Sequence, residues 1–293
     1  MDNRNEIRDF LTSRRAKITP GRAGLTSYGS RRVPGLRRAE VAQLAGVSIE
    51  YYSRLERGNL TGVSDSVLDA LARALHLDEA ERAHLYDLAR AAGPAARKRR
   101  RSAPQGVRPN VQRLLDAMTE APALVMNGRT DVLAANQLGR ALFAPVFAGP
   151  IRPPNFARFN FLDTRARDFW GDWDRAADDT VELLRAQAGR DPYDKALTDL
   201  IGELSTRSAE FRTRWAAHDV RLHRTGVKHF RHPVIGELHL TFEVMELVTD
   251  EGLSLIAYGT EPGTASEDGL RLLASWSATH DQAADTDAIN RAQ

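Results

Sequence analysis

The chain has 293 residues, 42% of them hydrophobic, no cysteine and a formal net charge of +2. That length suits about two domains. The missing cysteines exclude disulfides, thiol redox chemistry and Cys-ligated zinc, and no apolar run reaches the roughly 18 residues of a membrane span. The opening MDNRNEIRDFL is charged and has no apolar signal segment, so a cytoplasmic protein with no membrane partner is expected. The small net charge hides an asymmetry. Residues 1–110 hold 21 Lys and Arg against 12 Asp and Glu, and residues 111–293 hold 20 against 27. A basic half joined to an acidic half suits a nucleic-acid reader with a regulatory partner domain.

Residues 4–16 carry Ile7, Phe10 and Leu11 at helical spacing. Residues 18–35, with two Pro and four Gly, read as a loop. Its Arg22, Arg31 and Arg32 either follow a phosphate backbone or are simply solvated. From Arg37, Val41, Leu44 and Ala45 share a helical face until Gly46 breaks the helix. Ser48 is a good N-cap for a second helix, Ile49 to about Arg57, which ends at Gly58. Tyr52 and Leu55 share the face that packs on the first helix, and small Ala42 lets the two cross closely. Ser64 and Asp78 cap two further helices carrying Leu68, Leu71 and Leu75, then Leu85 and Leu88. Five helices therefore span 4–92.

Ala39-Glu40-Val41-Ala42, Gln43, Gly46-Val47-Ser48 and Leu55-Glu56-Arg57-Gly58 resemble the Cro/repressor-like (XRE) helix-turn-helix family. A helix-turn-helix sets its second helix in the major groove. Ser48, Ile49, Glu50, Ser53 and Arg54 then become base-reading candidates: Arg54 for a guanine edge, Glu50 for a cytosine amino group, Ile49 for a thymine methyl. Arg38, Gln43, Arg57, Arg31 and Arg32 are candidates for phosphate contacts. Such a reader is expected to bind a double-stranded operator as a homodimer, with recognition helices about 34 Å apart.

Residues 94–109 (PAARKRRRSAPQGVRP) read as a basic linker between domain 1–93 and domain 110–279. In the second domain VQRLLDAM is an amphipathic helix. PALVMNGRTDVLAAN reads as a hairpin with an Asn127-Gly128 two-residue turn. A Pro-rich loop leads to clustered Phe156, Phe159 and Phe161, then Phe169, Trp170 and Trp173. Helices come next at 174–188, 194–204 and 208–218. From Val220 the period becomes two. One strand breaks at Thr225-Gly226, and Leu238–Val248 and Leu253–Tyr258 give two more. With the hairpin this makes about five antiparallel strands, an α+β domain behind an all-α one. A last helix at 268–279 precedes a polar tail, 280–293, expected to be disordered.

The order of elements resembles a PAS-type sensor. Ala123–Asn127, Ala135-Asn136, Asn160, Leu200–Leu204, Ser208, Phe211, Trp215, His218-Asp219-Val220, Gly226, Lys228–Pro233, Gly236 and Tyr258 resemble the MmyB-like ligand-binding domain more closely. The resemblance implies a small-molecule effector, with a fatty-acid-like compound as one option, and no cofactor. Phe159, Phe161, Trp170, Trp173, Phe211, Trp215, Phe242 and Tyr258 either line its pocket or form core. His218, Arg221 and His229 are candidates for an acidic end. The His residues follow no metal-ligand spacing, and His229 and His232 fall on opposite faces of a strand. No nucleophile elbow, phosphate loop or HExxH motif occurs. A ligand-controlled, non-enzymatic transcriptional regulator is therefore expected. The rival reading gives the second domain only dimerisation or protein interaction.

Overall fold

The computed structural model describes residues 3–25, 35–93, 106–217 and 225–292. Arg31, Arg32, His218 and Arg221, and most of the expected linker, lie outside the described residues.

The chain forms two compact units, Met1–Arg101 with Glu182–Leu222, and Ser102–Val181 with His223–Gln293. The units do not follow chain order. Helix α11 (Trp173–Arg190) begins in one and ends in the other.

In the first unit α1 (Asn3–Lys17) buries Ile7, Phe10 and Leu11 along one stripe, as its spacing requires. Helices α2 (Arg38–Ala45) and α3 (Ile49–Glu56) meet through Val41, Ala42, Tyr52 and Leu55. Between them Gly46 is left-handed, with φ of 66°. Helix α4 (Asp65–Ala74) adds Leu68 and Leu71, and α5 (Glu79–Ala92) adds Leu85 and Leu88. Each such side chain contributes about 1.5–3 kcal/mol when removed from water, so this one cluster fixes the angle between α2 and α3. Helix α5 starts on the expected capping box: Asp78 accepts from Glu81 N (2.9 Å) and Glu81 from Asp78 N (3.1 Å).

The second unit begins with α6 (Pro109–Ala117), whose proline sits in the first turn, where no donor is needed. The sheet is antiparallel in the order β2-β1-β5-β4-β3, from β1 (Ala123–Asn127), β2 (Val132–Ala135), β3 (Thr225–His232), β4 (Gly236–Glu246) and β5 (Leu253–Gly259). Alternation splits its faces. Ala123, Val125 and Ala134 meet Val111 and Leu115 of α6, whereas Leu124, Ala135, Leu238, Leu240 and Phe242 belong to the main core. That core is completed by α7 (Gln137–Leu142), α8 (Ala144–Phe147), α9 (Phe156–Leu162), α10 (Arg165–Phe169), the start of α11 and α14 (Ala265–Ala292). Helices α12 (Lys195–Arg207) and α13 (Ala209–Ala216) belong to the first unit.

Three local expectations change. The β1–β2 turn is not a two-residue Asn-Gly turn. Asn127 Oδ1 accepts from the amides of Arg129 (2.9 Å) and Asp131 (3.1 Å), and Thr130 takes the positive φ of 63°. Thr225 and Gly226, expected at a break, pair within β3, and the Phe242 ring lies 3.2 Å from where a Cβ on Gly226 would stand; residues 218–224 before them lie outside the described residues. Helix α14 does not stop at Thr279 but continues to Ala292.

Candidate nucleic-acid and ligand sites

Helix α3 turns its inner face to the core and leaves its outer face clear. Ser48 accepts from Tyr51 N (3.0 Å), so its hydroxyl holds the helix start. Ile49 is 48% exposed, and Glu50 and Arg54 are exposed. The isoleucine side chain is therefore available to a partner at the helix start. Ser53 is half-buried. The Arg54 guanidinium lies over the Tyr51 ring, 4.7 Å from its centroid, which limits the rotamers of an exposed side chain.

The flanking cations are held from beneath. Glu56, only 1% exposed, accepts from Arg15 Nε (2.6 Å) on α1 and from Arg38 Nε at the start of α2. Arg15 also donates to Leu36 O (2.8 Å). The hydrogen bond and charge of Glu56 raise the Arg38 pKa. Burial, then the Glu56 charge, push the neighbouring Tyr52 hydroxyl well above its usual range. Arg38 stays 55% exposed, so its guanidinium is fixed yet reachable. Gln43 is exposed, and Arg57 Nε donates to Ser53 O (3.1 Å) at the end of α3. The Glu56 hub carries no sequence signal beyond its place in Leu55-Glu56-Arg57-Gly58.

The aromatic candidates separate into two groups. Phe159, Trp170, Trp173, Phe242 and Tyr258 are buried in the second unit's core, with Phe161 packed against it. Their rings meet edge to face or tilted around Phe143, Phe169 and Phe230; Phe143 and Tyr258 centroids are 5.3 Å apart. Both indole N–H groups bond to Asn160, Trp170 to its side chain (2.7 Å) and Trp173 to its carbonyl (3.0 Å). Phe211 and Trp215 belong instead to the first unit, stacked at 5.5 Å. There the Arg185 guanidinium lies 4.1 Å from the Trp215 ring, donates to the Trp215 carbonyl and pairs with Glu6 of α1. Arg185 is fully buried and was not anticipated: its partner is 179 residues away in sequence. His229 points outward on β3 and lies tilted against His239 of β4, centroids 4.0 Å apart. No group of three or more His, Cys, Asp or Glu positioned for a metal occurs among the described residues.

A family model for a helix-turn-helix domain matches residues 10–85, and one for the MmyB-like transcription regulator ligand binding domain matches residues 107–273. The chain belongs to the MmyB-like transcription regulators. No curated protein matches it. The MmyB-like chain thus pairs a DNA-binding helix-turn-helix with a ligand-binding domain of the family's type. No described helix is long and apolar enough to cross a membrane.

Proposed function

We propose that this MmyB-like regulator reads a double-stranded operator with α3 and changes its grip when a small, partly apolar effector occupies the second unit. The open outer face of α3 carries this reading: Ile49, Glu50 and Arg54 are exposed on a helix whose other face is fully committed to the core. In the groove, Ser48, Ile49, Glu50, Ser53 and Arg54 read bases, while Arg38, Gln43, Arg57, Arg31 and Arg32 position the backbone. The protein acts in the cytoplasm as a homodimer and not as an enzyme. An acyl-chain-like effector suits the aromatic cluster of Phe159, Phe161, Trp170, Trp173, Phe242 and Tyr258.

Selection of bound sequences from a randomised DNA pool tests the DNA half. Two inverted half-sites with centres one turn, about 34 Å, or a multiple of it apart are expected; enrichment of a single half-site would refute the homodimer. Native mass spectrometry of the purified protein tests the effector half by detecting a co-purified small molecule. The close ring packing favours a second reading, in which the C-terminal domain only mediates protein contacts. Failure of every acyl compound tested to raise the melting temperature would select it.

A further inference from the structure

Helix α5 carries two stripes. One, with Ala80, Leu88 and Ala91, is buried against its own unit. On the opposite side Glu79, Arg82, Ala83, Tyr86, Ala89 and Arg90 recur at i, i+3, i+4, i+7, i+10 and i+11, so they too share a face. One stripe is enough to join a helix to its core, so the second asks for another explanation. It lines a groove of about 630 Å³, and Leu60, Val63 and Leu68 line it from the loop that leaves α3 and from α4.

The walls of this groove are tied together. Thr61 Oγ1 donates to Ala92 O (3.1 Å), joining the loop to the end of α5. Asp69 of α4 accepts from the Tyr86 hydroxyl (2.7 Å) and from the Arg82 guanidinium (2.6 Å). A surface held in this way loses little freedom when something docks on it. Its charges match those of a second copy turned end for end. Glu79 lies in the first turn of α5 and Arg90 in the last, roughly 16 Å away along the axis. A two-fold axis beside Ala83 and Tyr86 lays two α5 helices antiparallel. It sets Glu79 of each copy against Arg90 of the other, and the Tyr86 ring of each over the small Ala83 of the other. Arg90 is 75% exposed, and its bond to Asp87 (2.5 Å) leaves other guanidinium donors for a partner.

We propose that two copies of the chain meet at this groove, α5 against α5. This rests on the homodimer reading and adds where the copies join. Each copy offers both the α5 ridge and the groove beside it, as a contact repeated by two-fold symmetry requires. Leu60 and Val63 lie in the loop that leaves the recognition helix, so a contact here fixes the separation of the two α3 helices and with it the half-site spacing that the dimer accepts.

Sedimentation equilibrium of the full-length protein, free and on the selected operator, tests the interface. Glu79→Arg and Arg90→Glu each set like charges opposite one another at both repeats of the contact, and each alone should weaken the dimer about tenfold or more. An equal mixture of the two variants should regain the dissociation constant of the unaltered protein, because every such contact in the mixed dimer again joins opposite charges. Ala83→Arg, at an exposed helical position, should weaken the dimer and leave the melting temperature unchanged. It decides alone if circular dichroism shows either charge variant unfolded. A dimer that all three substitutions leave unchanged overturns the interface while the homodimer reading stands. A mixture as weak as its parts overturns the antiparallel pairing. A monomer both free and on the operator removes the homodimer reading, and the interface with it.

Discussion

Arg54 and Arg185 each lie against an aromatic ring, with opposite consequences. Arg54 is exposed, and Tyr51 merely orients it. Arg54→Ala should cost roughly 1–3 kcal/mol on the selected operator and much less on random DNA, measured by fluorescence anisotropy. An equal loss on both would reduce Arg54 to a phosphate contact. Arg185 is buried against Glu6 and Trp215. Arg185→Met leaves the buried Glu6 carboxylate without that guanidinium and should cost roughly 3–5 kcal/mol in urea unfolding. Adding Glu6→Gln should recover part of the loss. His232 gives a pH signature. Val234 N donates to its Nδ1 (3.2 Å), so its Nε2 carries the proton and donates to Ala141 O (3.1 Å); the ring is neutral. Burial lowers its pKa below the ordinary value. The unfolded chain then takes up the proton first as pH falls. Stability should be full above about pH 6.5 and decline below it until the folded ring also titrates. His232→Gln should flatten the urea-midpoint profile between about pH 7 and pH 5.

Among the elements, α3 depends on the glycine just beyond its end as much as on its cap. Gly58 has φ of 92°, and a Cβ there would collide with the carbonyl oxygen of Arg4. Gly58→Ala adds left-handed strain to a backbone collision and should cost about 2 kcal/mol or more, read as a lowered melting temperature with weaker operator binding. The helix-turn-helix was legible because its signals are local: Val41, Tyr52 and Leu55 at helical spacing, Gly46 at the turn and Ser48 at the cap. Strands β4 and β5 were legible from alternation and β1 and β2 from two apolar runs about a turn, whereas β3 was legible only in part, since Thr225-Gly226 reads as a break yet pairs within it. The β1–β2 turn was not, because the Asn127 side chain that shapes it is joined by Asn155, 24 residues beyond Asp131, which donates to Asp131 (2.8 Å) and to Arg129 O (2.8 Å). Nor was the separation of Trp215 from Trp170. Trp170 directly follows α10 and Trp215 lies in α13, and only long-range packing assigns them to different cores.

At the scale of the whole molecule, the two matched regions are consecutive in sequence, yet the compact units are not. Residues 182–222 lie inside the region matched to the ligand-binding domain and pack with the helix-turn-helix. They bring Arg185 to Glu6, Arg190 to Asp87 (3.6 Å) and Gly189 so near His84 that a Cβ would stand 2.5 Å from its ring. One consequence concerns how the protein can be taken apart. The units alternate along the chain, first, second, first, second, so no single scission of the backbone releases either of them whole. A fragment ending at Arg101 retains α1 to α5 but forfeits the Arg185 guanidinium that faces Glu6. Grafting this DNA reader onto a foreign sensor would therefore require carrying residues 182–222 along as a second, separately spliced piece.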